Sequence, residues 1–153
     1  TVRGFASAYN DAIHVNVNNT IEVPVISPRA LCALKIFAWE ERHAQHPGRD
    51  AKDLAYLFQN SESLFPAEEM HTKHQQALIE NDYDIELASL YQFGQTVKEI
   101  LEPDDSEFLK KVIKTEVAQE DDSILVRELQ KYLSTKDIER VFHMLKSFYK
   151  PFT

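Results

Sequence analysis

Val25-Ile26-Ser27-Pro28-Arg29-Ala30-Leu31-Cys32-Ala33-Leu34-Lys35-Ile36-Phe37-Ala38-Trp39-Glu40-Glu41-Arg42 is where an alternating sequence becomes a helical one. Ser27-Pro28 is a strong helix start, a serine able to accept a free backbone N–H followed by a proline already set at the helical φ. Leu31, Leu34, Lys35, Ala38 and Trp39 then recur at helical spacing. The helix is expected to run to about His43–Gln45, ahead of Pro47-Gly48. A second helix is expected from Arg49-Asp50, with Leu54, Leu57 and Phe58 as its apolar stripe. The short connection makes the two helices antiparallel neighbours.

Upstream, Ile13, Val15 and Val17 alternate with His14 and Asn16, and Ile21, Val23 and Val25 resume the alternation after Asn18-Asn19. A period of two around a turn-forming pair describes a hairpin of half-buried strands. Pro24 marks its strand as an edge, because proline gives the ladder no N–H. Phe5–Ala12 suits a short helix. Two strands alone make no stable sheet, and the chain holds few others. Downstream, helical patterns start at Pro66, Asp84, Pro103, near Ile124 and at Ser134–Asp137. The expected fold is α+β and mostly α: a hairpin followed by about six helices.

The 153 residues carry a net charge of −8. The first 60 residues hold six basic and six acidic side chains, so all of that charge falls on residues 61–153. An acidic body repels a nucleic-acid backbone, so general nucleic-acid binding is not expected. No segment approaches the roughly 20 apolar residues that span a bilayer. The single cysteine, Cys32, suits a reducing compartment, and a cytoplasmic location is expected. Three glycines leave no room for a glycine-rich phosphate loop.

Lys35 lies in an apolar setting, where an ammonium group needs a partner or solvent. Asp50 and Asp53 are three apart and share a face of the second helix, and one of them can meet Lys35 across the hairpin. The structural alternative is a Lys–Asp pair that fixes the two helices, with Asp50 as the N-cap. His43/His46 and His71/His74 have a spacing that can hold zinc on a helix face, but no further ligands are linked to either pair. Cys32 reads as a buried thiol rather than a nucleophile. The aromatics, Tyr56 among them, read as core, and Lys110-Lys111 and Glu120–Asp122 as solvated surface.

Val25 to Arg42, with Arg49-Asp50-Ala51-Lys52-Asp53-Leu54, resembles the predicted bacterial nucleotidyltransferases related to abortive-infection-type toxins. Gly4–Tyr9 matches the segment that follows a core strand in those proteins, and Tyr83–Ala88 is also similar. The resemblance covers about residues 2–60 well. It implies nucleotidyl transfer from a magnesium-bound nucleoside triphosphate to a protein or RNA acceptor, with an antitoxin as a possible partner. It further implies that Lys35, Asp50 and Asp53 are catalytic and that Arg42 and Arg49 contact the nucleotide. The family's metal-binding signature, a Gly-Ser turn before an Asp-x-Asp strand, does not occur in this sequence. No metal ligand is therefore assigned, and the chain alone is expected to be inactive. On this reading residues 1–60 are the end of a nucleotidyltransferase-like core that begins before Thr1, and residues 61–153 form an acidic helical lobe. The alternative is a non-catalytic helical interaction module.

Overall fold

A computed structural model describes residues 2–153. Helix α1 (Phe5–Asn10) leads into strands β1 (Ile13–Val17) and β2 (Ile21–Val25). Then follow α2 (Pro28–Arg42), α3 (Pro47–Gln59), α4 (Ala67–Lys73), α5 (Gln75–Glu80), α6 (Ile85–Ile100), α7 (Pro103–Ala118), α8 (Ile124–Tyr132) and α9 (Ile138–Tyr149). Among the described residues, eight helices therefore follow the hairpin where periodicity gives about six. Part of the difference is the stretch after Pro66, which breaks into α4 and α5 at His74.

The expected helix signals act as such. Ser27 Oγ accepts the Ala30 N–H at 3.2 Å. Asp84 caps α6 through the Leu87 N–H, Ser123 caps α8 through Val126, and Asp137 caps α9 through Glu139. Buried Glu116 reinforces the start of α8 by accepting from Ser123 Oγ and from the Leu125 N–H. Such caps satisfy the donors that a helix start leaves free.

The main core lies among α2, α3, α6, α7, α8 and α9. It draws on both sides of residue 60, with Trp39 and Phe58 on one side and Phe93, Leu109, Leu125 and Phe148 on the other. Phe148 is its centre, its ring centroid 5.2 Å from Phe58, 6.0 Å from Phe93 and 5.9 Å from Phe152. At Gly94 the backbone of α6 lies against that of α9, so that a Cβ would overlap the Phe148 carbonyl oxygen. A smaller cluster of Met70, Ala77, Leu78 and Ala88 lies beneath α4 and α5.

The β1–β2 hairpin forms as expected, with Asn18 and Asn19 in the left-handed region at φ 53° and 58°. Ile13 pairs with Val25, Val15 with Val23 and Val17 with Ile21. Opposed residues share a side of the ribbon, so all six apolar side chains line one face. The strands are not half-buried, however: every strand residue is exposed. The alternation selects a face for burial, and no described element covers that face. Asp11 ties the hairpin to the helices instead. It accepts from Ser27 Oγ and from Arg29 Nε and Nη2, and the Arg29 hydrogen bonds hold its carboxyl below the usual carboxylate range.

Candidate functional site

Helices α2 and α3 form an antiparallel pair joined by a short turn. Gly48 lets α3 begin close to α8, since a Cβ there would come 2.5 Å from the Tyr132 hydroxyl. Helix α3 starts at Pro47, not at Arg49-Asp50. Proline preset at the helical φ moves the start forward. This corrects the expectation that Asp50 is the N-cap. Asp50 lies inside the first turn, on the face turned toward the core, and is fully buried.

A buried carboxylate needs partners, and Asp50 has two. Arg42 donates to it in a fork, Nε to Oδ2 at 2.7 Å and Nη2 to Oδ1 at 2.6 Å. Lys35 Nζ lies 3.7 Å from Oδ1. The same ammonium group forms an ion pair with Asp53 Oδ2 at 2.7 Å. The chain therefore reads Lys35–Asp50–Arg42 along one side of α2, with Asp53 closing on Lys35. Lys35 is mostly covered, whereas Asp53 is close to half exposed. About a quarter of the Lys35 side chain is exposed, and two carboxylates hold its ammonium group.

Four of the five sequence-selected residues meet in this cluster. Arg49 does not. It is exposed on α3, without an ion pair among the described residues. Arg42 is engaged by Asp50, which holds its guanidinium firmly protonated. Arg42 also borders a groove of about 710 Å³ whose walls include Phe37 and Phe108, together with Glu40 and Glu41. Arg3 also lines that groove, so its walls carry two acids and two cations.

The other candidates resolve simply. His43 stacks on Trp39 with centroids 4.1 Å apart, and His74 packs edge-on to Phe65. Cys32 is fully buried, and burial pushes its thiol far above the ordinary value, which makes it inert. No three potential metal ligands gather among the described residues. Asp50 and Asp53 are already neutralised by cations, so they do not fit a magnesium ion. Tyr56 departs from the expected core role and is 70% exposed.

A second cluster carries no signal in the local sequence. Arg140 on α9 donates to both oxygens of Asp84 and to Glu86 Oε1, at 2.7–3.0 Å. Its partners lie more than 50 residues away, beyond any periodicity argument.

The nucleotidyl transferase AbiEii toxin family, of type IV toxin–antitoxin systems, has a family model that matches residues 3–140. The chain belongs to this family. The AbiEii match covers the hairpin, the α2–α3 cluster and the Asp84 segment alike, well beyond the residues 2–60 that carry the resemblance in sequence. No curated protein and no solved structure matches the chain. Among the described residues, no helix is long and apolar enough to cross a membrane.

Proposed function

We propose that the α2–α3 pair supplies the nucleotide side of a nucleotidyl-transfer site. The observation that carries this reading is a partly exposed Lys35 side chain whose ammonium group is held by Asp53 and Asp50 in an AbiEii-family chain. In the transfer, the acceptor's nucleophile bonds to the α-phosphorus and the bond to the β-phosphate bridge breaks. Pyrophosphate leaves with the electron pair. Lys35 donates hydrogen bonds to a phosphate oxygen and offsets the charge that develops as pyrophosphate departs. Asp53 aims the ammonium group. Asp50 touches no substrate; it positions Lys35 and locks Arg42. On this reading Arg49, one turn before Asp53 on α3, adds a second phosphate contact.

A magnesium ion is the counter-charge that such transfers use. The carboxylates that hold it are assigned to sequence outside these 153 residues, and no step here is routed through it. On the same reading, residues 1–60 close a larger nucleotidyltransferase-like core, whose remaining strands cover the apolar face of the hairpin. The family's place in type IV toxin–antitoxin systems supports an antitoxin partner, and a cytoplasmic setting is part of the same proposal. The acceptor is a protein or an RNA.

The test uses each labelled nucleoside triphosphate with magnesium. It compares this chain alone with the chain joined to its encoded upstream sequence. Transfer is expected only from the longer protein; transfer by the 153 residues alone would overturn the placement of the metal ligands. A second reading draws on the same cluster: both aspartates already have partners, as a purely structural pair in a helical interaction module would. Under that reading Lys35→Met changes stability and has no effect on nucleotide binding.

A further inference from the structure

We propose that the exposed ring of Tyr56 is the platform on which the nucleobase stacks, an assignment that rests on the Lys35 site being a nucleotide site. Helix α3 buries Asp50, Ala51, Leu54, Ala55, Leu57 and Phe58. Its outer stripe therefore runs through Arg49, Lys52, Asp53 and Tyr56. Tyr56 follows Asp53 by three residues and Lys52 by four, the spacings at which helical side chains are neighbours. Asp53 is the residue that holds Lys35 Nζ. The Cα of Tyr56 thus lies three residues, roughly 4.5 Å along the axis, from that of Asp53, whose carboxylate presents the phosphate-binding ammonium group.

Three features separate Tyr56 from an ordinary surface tyrosine. The other aromatic rings of α2 and α3 (Phe37, Trp39 and Phe58) are at most 6% exposed, whereas Tyr56 is 70% exposed. Its ring packs on no other aromatic ring among the described residues. Lys52 lies one turn before it and Arg49 two turns before it on the same stripe, and neither forms an ion pair among the described residues. A flat π-face beside uncommitted cations, next to a held ammonium group, matches the chemistry of a nucleoside polyphosphate. Stacking on such a face accepts any base, because every base has a π-face. The platform therefore anchors the nucleoside without choosing it.

Binding to the full chain separates base from phosphate when two probes are used, each of the four nucleoside triphosphates and inorganic tripolyphosphate. Tyr56→Ala is expected to weaken the triphosphates roughly 5- to 100-fold and to leave tripolyphosphate unchanged. Tyr56→Phe, which keeps the ring, is expected to bind both like the wild type. Lys35→Met is expected to weaken both probes. Unchanged triphosphate affinity in Tyr56→Ala overturns the platform while leaving the Lys35 site standing, and so does an equal loss for both probes. A wild-type chain that binds neither probe overturns the site and the platform together.

Discussion

Two ion clusters join helices in this molecule, Lys35/Arg42/Asp50/Asp53 between α2 and α3 and Arg140/Asp84/Glu86 between α9 and the start of α6. In the second, one guanidinium is shared by two carboxylates, and all three side chains are about one-third exposed. Arg140 uses four of its five N–H donors on Asp84 and Glu86, and Asp84 also caps α6. In the first cluster, one carboxylate is fully buried and serves two cations, and a second carboxylate holds the lysine from the solvent side. Lysine has three donors, so Lys35 can keep its aspartates and still meet a phosphate. A clamp and a site can share the same residue types. On the proposed reading the first cluster is the site and the second the clamp, and exposure does not separate them: the Lys35 side chain is 25% exposed and that of Arg140 31%.

The largest effect in either cluster is expected at Asp50. Asp50→Ala removes the buried partner of two cations and is expected to cost roughly 3 kcal/mol, or about 6–12 °C in Tm. Thermal melts followed by circular dichroism would read it, and a shift under 2 °C would mean that the cluster does not hold the helix pair. Asp84→Ala removes a cap and an ion pair that water already screens, so a loss of about 1–2 kcal/mol is expected. Nucleotide affinity should not move in that variant, and calorimetric titration would show it if it did.

Much of this contrast was legible beforehand, and the gaps have physical causes. Ser27-Pro28, the alternating hairpin and the lysine facing a pair of aspartates follow from local chemistry, and the structure contains each. The Arg42–Asp50 pair is not reached from spacing, because a helix start at Arg49 makes Asp50 a cap, whereas the start at Pro47 makes it a buried ligand set against the end of α2. The Arg140 clamp joins residues brought together only by the packing of α9 on α6, so no spacing rule reaches it. Residue type alone places Tyr56 in the core, whereas the rotation of α3 turns it outward. The hairpin pattern correctly marked an apolar face, but alternation cannot say whether anything lies on that face.

The smallest expected effect is one of pH. Arg140 holds the Asp84 carboxyl below the usual carboxylate range. A carboxyl lowered in the folded state contributes stability that is present above its unfolded value, near 3.9, and fades as pH falls through the folded value. Asp84→Asn should therefore cost stability at pH 7, a cost that begins to shrink below about pH 4 and is lost only as pH falls through the lowered folded value. Urea unfolding at pH 7 and at pH 3 measures the difference. A gap that stayed constant would assign the Asp84 effect to capping rather than to charge.

The central claim is that Lys35 binds phosphate and does not merely brace the helix pair. Nucleoside triphosphate titration of the wild type and of Lys35→Met, each with a matched thermal melt, tests it most directly. The expected result is a loss of affinity of at least about tenfold, with stability changed by about 1 kcal/mol or less, because Arg42 still satisfies Asp50. A variant that melts several degrees lower yet binds nucleotide like the wild type would contradict the account and leave Lys35 as a brace.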